Sequence, residues 1–98
     1  MRTKYLVYEL EISPTRECKD DPPYEVYVGS TYVDENRDVS DRRQEHIEGH
    51  NSRVARRGYK VGAIRKVGRL YDSRDEAIEA EENHADALDE RGRHVWQA

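Results

Sequence analysis

Five side chains in this sequence belong to types that act on phosphates: Tyr8, Tyr27, Arg42, His46 and Glu81. Arg42 and His46 lie four residues apart in a helical pattern and therefore share a face. An arginine there can neutralise a phosphate while the histidine donates or shuttles a proton; an ordinary exposed pair is the plainer alternative. Glu81 stands four after Ala77, three after Ile78 and four before Ala85, centred on the apolar side of a late helix that also carries Leu88. A carboxylate facing a core is costly unless it is paired or binds a metal. Either Glu81 sits at the edge of that stripe and pairs with an arginine, or it is a lone ligand completed by waters and substrate phosphates, as Mg²⁺ is usually held. Tyr8 and Tyr27 fall on neighbouring strands and either present two phenols to one cleft or fill the core with their hydroxyls bonded. His46 and His50 share helical spacing, but Gly49 between them reads as a helix end and no cysteine is near, which argues against zinc. Cys18 has no base partner in its polar loop and is assigned no role.

The elements that must position these groups follow from periodicity. Tyr5 to Ile12 alternates, with Leu6, Tyr8, Leu10 and Ile12 on one face and Glu9 and Glu11 on the other, which predicts a half-buried strand. Ser13 to Pro23 is polar, ends in two prolines and reads as a loop. Tyr24 to Tyr32 is β-branched and aromatic, a second strand paired antiparallel with the first, and Gly29 marks a bulge or a close approach. Ser40 is placed to cap a helix that runs to Glu48 and stops at Gly49. Asn51 or Ser52 would cap a short second helix ending at Gly58. Tyr59 to Tyr71 reads as a third strand. Ser73 and Glu76 form a capping-box pattern for a helix that continues to about Glu90 and stops at Gly92. Val95 and Trp96 in the tail are expected to fold back on the body. The expected class is α+β: a three-stranded antiparallel sheet flanked by helices, in the order β-β-α-α-β-α.

Ninety-eight residues suit a single domain over 1–98, without room for a separate recognition module. At 35% hydrophobic and 39% charged the core must be modest, and with no Phe the seven Tyr and Trp96 supply its aromatic volume. One cysteine excludes an internal disulfide and suits a reducing, cytoplasmic setting; no apolar run approaches the roughly 20 residues of a membrane span. The net charge is −4, yet Arg53, Arg56, Arg57, Lys60, Arg65, Lys66 and Arg69 follow one another without an intervening acid. A basic stripe on an acidic body is the footprint of a phosphate-contacting surface, or else a solvated face neutralised by acids that the fold brings near.

These pieces together resemble the GIY-YIG nuclease family over nearly the whole chain. Leu6-Val7-Tyr8 stands in the first motif and Tyr27-Val28-Gly29 in the second. Arg42 to His46 looks like the arginine–histidine element, and Glu76 to Glu81 like the segment ending in the metal-binding glutamate. Leu6 replaces a glycine of the first motif, the Ser13–Pro23 loop is extended, and a few residues are inserted around Tyr32 to Arg37. The resemblance implies a metal-dependent endonuclease hydrolysing DNA phosphodiesters with Mg²⁺ or Mn²⁺. It implies that Tyr8 or Tyr27 positions or deprotonates water, Arg42 stabilises the phosphate, His46 assists proton transfer and Glu81 holds the ion. The stripe would then supply backbone affinity for double-stranded or branched DNA, and DNA structure, a homodimer or a targeting partner protein would supply specificity. Two other readings are a catalytically weak nucleic-acid-binding module of the same fold and a protein-interaction adaptor with an acidic face.

Overall fold

The computed structural model describes residues 2–49 and 52–98, so the expectations for His50 and Asn51 lie outside the described residues. Strand β1 (Lys4–Pro14) is central and pairs antiparallel with both β2 (Val26–Val33) and β3 (Tyr59–Tyr71). The alternation expected for β1 is present. Leu6, Tyr8, Leu10 and Ile12 pack on one face with Tyr27, Val39, Val54 and Tyr59. Val7 packs on the other with Val26, Val28, Ala85 and Leu88. Helix α1 (Val39–Glu48) contributes to the first cluster and helix α2 (Arg74–Glu90) to the second, so the sheet lies between them. Burying each large side chain contributes about 1.5–3 kcal/mol, and β1 supplies both layers. It is the strand on which the class depends.

The α+β class stands, but three details differ from expectation. The sheet has four strands and is mixed, in the order β3-β1-β2-β4, because β4 (Val95–Gln97) adds parallel to β2 through Val26↔Val95, Tyr27↔Trp96 and Val28↔Gln97. Val95 and Trp96 do fold back, each onto a different face. The expected helix ending at Gly58 is instead a turn. Arg57 N–H bonds the Arg53 carbonyl at 2.9 Å, but Gly58 N–H then closes on Ala55 and Tyr59 N–H reaches back to Val54, so the helical ladder does not continue, and Gly58 leaves in the left-handed region at φ 88°. A Cβ on Gly58 would lie 2.5 Å from the Cys18 backbone nitrogen, so the turn stays short and packs against the β1–β2 connection. The order is therefore β-β-α-β-α-β.

The third difference is the cap of α1. Asp38 takes the role expected of Ser40: its carboxylate accepts from Val39 N–H at 2.8 Å, and the Asp41 carboxylate accepts from Asp38 N–H at 2.9 Å. An aspartate at each end of this reciprocal cap also favours the positive end of the helix. Gly49 (φ 78°) ends the helix as expected, in a conformation that disfavours a Cβ. At α2, Ser73 Oγ accepts from Glu76 N–H as expected. No helix among the described residues is long and apolar enough to cross a membrane.

Candidate active site

The antiparallel register sets Tyr8 directly opposite Gly29 and Leu10 opposite Tyr27. Strand alternation then points Tyr8, Tyr27 and the vacant side of Gly29 toward α1. The Tyr8 ring lies over the glycine: a Cβ on Gly29 would be 2.7 Å from Tyr8 Oη and 2.9 Å from Cζ. Gly29 thus marks a close approach, with no break in the β1–β2 register. The two tyrosine rings stack with centroids 6.3 Å apart, and the His46 ring meets Tyr27 edge-on at 4.9 Å. Trp96 closes the far side of Tyr27 at 5.4 Å.

Arg42 and His46, one helical turn apart, converge on a single oxygen. Arg42 Nε donates to Tyr8 Oη at 3.3 Å, and His46 Nε2 lies 2.7 Å from the same atom. Behind the imidazole, Nδ1 is 2.5 Å from Ser52 Oγ. The exposed-pair alternative for Arg42 and His46 therefore does not hold. Arg42 can only donate, so Tyr8 Oη accepts from it and keeps its own proton to give to His46 Nε2. The imidazole then gives its Nδ1 proton to Ser52. That directed chain requires a neutral ring. Burial, reinforced by the Arg42 charge, pushes His46 down to about 4, and burial holds the Tyr8 phenol well above its ordinary range.

A pH dependence follows. The folded His46 resists protonation more than the unfolded chain, whose imidazole titrates near 6.5. Folding stability is thus fully present above pH 6.5 and falls as pH drops toward 4, by up to about 3 kcal/mol. The melting temperature measured across this interval should decline, with the His46 ring carbons staying in the neutral form in NMR spectra until about pH 4.

Arg42 is also held from the solvent side. Glu45 Oε1 accepts from Arg42 Nη1 at 3.0 Å, and both Glu45 oxygens accept from Arg37, at 2.7 and 3.0 Å. Arg37 is itself fixed by the Thr31 hydroxyl and the Tyr32 carbonyl. Arg37 first, and then Arg42, keep Glu45 ionised, with its carboxyl held down at about 2. Arg37 and Glu45 escaped the sequence analysis. Arg37 falls in the inserted segment, and only the turn of Asp34 to Arg37 brings it back over β2.

Glu81 approaches from the opposite face of the sheet. It is 4% exposed, as a core-facing carboxylate should be. No arginine pairs with it among the described residues. Gln97 Nε2 donates to Oε2 at 3.2 Å, and Ser30 donates through both hydroxyl and backbone N–H. These bonds oppose, without overcoming, the upward push of burial on its pKa. β4 stops at Gln97 while β2 runs on to Val33, and Glu81 reaches Ser30 just past that end. There its charge acts on both tyrosines, raising Tyr8 and Tyr27 further. The five residues therefore gather about one point, the open edge of β2 at Gly29 and Ser30. Tyr8 and His46 are 0% exposed and Tyr27 7%, so Arg42 is the member of the group that lines an open cavity.

The basic stripe is dispersed. Arg65 bonds Glu9 on the α2 face, whereas Lys66 reaches Asp38 at the start of α1. Arg57 pairs with Asp20 and lies over Trp96; Arg69 lies near Glu76 and over Tyr71. Arg56 bonds the Gly49 carbonyl, and Arg53 and Lys60 are exposed. Arg53, Arg56 and Arg57 do share the wall of one cavity of about 440 Å³.

The donor set fits a divalent ion in one way only. No group of three or more His, Cys, Asp and Glu is gathered among the described residues, so an all-protein cage is absent there. A single desolvated carboxylate suits Mg²⁺ or Mn²⁺ that keeps waters and shares phosphate oxygens; Glu81 is that carboxylate, 4% exposed and bonded to Ser30, which lines the cavity that Glu81 itself does not. No protein-family model, curated protein or solved structure matches this chain.

Proposed function

We propose that this protein is a metal-dependent endonuclease that hydrolyses DNA phosphodiester bonds, of the kind that its resemblance to GIY-YIG nucleases implies. One observation carries the reading: Arg42 and His46 converge on the Tyr8 oxygen, beside Tyr27 and across the sheet edge from Glu81. A core does not need a neutral histidine, an arginine and a desolvated carboxylate around two tyrosines, and each is costly to bury.

Glu81 would hold Mg²⁺ or Mn²⁺, and such an ion polarises the phosphate and stabilises a leaving oxygen. The chain's own residues do the rest. Arg42, clamped by Glu45 and Tyr8, presents fixed positive charge to the phosphate with little reorganisation. Tyr27, less deeply covered than Tyr8, orients water at the cleft. Tyr8 passes a proton inward to neutral His46 as its own oxygen accepts one, so no free phenolate need form. DNA structure, a second copy or a targeting partner would select the site of cleavage.

A second reading, DNA binding without cleavage, draws on the bonds that Ser30 and Gln97 already make to Glu81. Nicking kinetics separate the two. Arg42→Lys keeps the charge but loses the planar fork that reaches Tyr8 and Glu45 together. It should slow cleavage on the order of 100-fold. Cleavage at the wild-type rate by Arg42→Lys would contradict the assignment.

A further inference from the structure

The open edge of β2 faces a cavity of about 390 Å³ that joins the two helices. Arg37, Arg42 and Glu45 line it from the α1 side, Ser30 and Thr31 form its floor, and Arg74 reaches it from the first residue of α2. Three guanidiniums thus meet one carboxylate in a solvent-filled cleft. Arg37 spends its donors on Glu45, Thr31 and Tyr32 and acts as a brace. Arg74 differs: its guanidinium has no hydrogen-bond or ion-pair partner among the described residues.

Its position is also unfavourable for the helix. The first turn of α2 carries Asp75 and Glu76, which suit the positive end of the helix dipole, whereas a cation at the first residue opposes it. A residue that breaks a local rule and bonds nothing nearby is a mark of a binding role. A guanidinium recognises phosphate oxygens in bidentate geometry, and Arg74 and Arg42 line the same cavity together with Ser30.

We infer that this cleft is a phosphate subsite in which Arg74 receives the phosphate next to the one held at Arg42. A nucleic-acid backbone would then cross the edge of β2 from α1 to α2, past Ser30. The inference rests on the nuclease reading of Arg42 and adds to it the direction in which the strand runs.

Arg74 is exposed and has no bonding partner among the described residues, so its replacement should leave the fold intact. The test is DNA binding by fluorescence anisotropy in chelator, where no metal-dependent cleavage intervenes, over a salt series from about 50 mM upward. Arg74→Ala should match or exceed the wild-type melting temperature, bind DNA roughly three- to tenfold more weakly, and lower the log–log salt slope by about one. Arg91→Ala, at the other end of the same helix and about 25 Å away by helical rise, should keep the wild-type slope. If wild type binds and Arg74→Ala binds with unchanged affinity and slope, the subsite is overturned and the nuclease reading stands. If wild type binds no DNA even at low salt, the nuclease reading fails and the subsite with it.

Discussion

Glu81→Gln is expected to make the protein more stable and to stop DNA nicking. Burial raises the Glu81 carboxyl, which means that the folded chain holds that proton more tightly than the unfolded one does. The sign follows from linkage: stability is fully present below the unfolded carboxyl pKa, about 4.3, and is lost as pH rises through the folded value. At neutral pH the wild type therefore carries a desolvated charge that glutamine lacks. The glutamine carbonyl still accepts from Ser30 and Gln97, whose donors stay satisfied. Relief of such functional strain is commonly worth on the order of 1 kcal/mol, or about 4–8 °C in a domain of this size. The gain should shrink toward zero on acidification to about pH 4, where the wild-type carboxyl is also neutral. Nicking should fall by on the order of 100-fold or more, since a Lewis-acid site is worth several kcal/mol. Thermal melts at several pH values beside a plasmid assay would check both halves. A melting temperature that drops in the variant would assign Glu81 to holding the β2 edge together.

The second large effect is expected at Gly29. In Gly29→Ala the new methyl would sit 2.7 Å from Tyr8 Oη, and the tyrosine cannot yield cheaply because that oxygen is bonded to Arg42 and His46. Overpacking of this kind costs about 1–3 kcal/mol. Relief by moving the Tyr8 ring would break the convergence at its oxygen, so cleavage should fall with stability. Gly49→Ala is the matched comparison. Its Cβ meets nothing within 4 Å, and the cost is backbone strain at φ 78° alone. That variant should lose stability, on the order of 1 kcal/mol, and keep its cleavage rate once folded. Melting curves and nicking rates for the pair decide it; equal rates from both folded variants would remove Gly29 from the site.

These two residues also show what was legible in the sequence. Arg42 and His46 share a face because four residues make about one helical turn, and Glu81 faces the core by the same geometry. Local periodicity carries such facts. Gly29 could be read as a bulge or a close approach because a period of two fixes which face a side chain takes and leaves the offset between strands open. The register of Tyr8 against Gly29 comes from packing along the whole of β1. β4 was missed because three residues are too short for a period, and its partner β2 lies some seventy residues back in the chain. The Arg37–Glu45–Arg42 brace depends on how the Asp34 to Arg37 turn folds, which no spacing rule specifies. The basic run illustrates the converse. Its residues fall in one short segment without an acid, but a strand sends Arg65 and Lys66 to opposite faces, so closeness in sequence became separation in space.

The charge logic of the site explains why the fold tolerates it. Glu45 answers the two arginines, while burial and the Arg42 charge outweigh the opposing pull of Glu45 and keep His46 neutral and able to accept a proton from Tyr8. Each costly group leans on another, and the group as a whole is stiff.

The most direct measurement is the conversion of supercoiled plasmid to nicked circle by the wild-type protein, with Mg²⁺ or Mn²⁺ and then with chelator. Nicking is expected with either metal and none with chelator. A well-folded wild-type protein that leaves the plasmid supercoiled across metals and salt concentrations would contradict the nuclease reading.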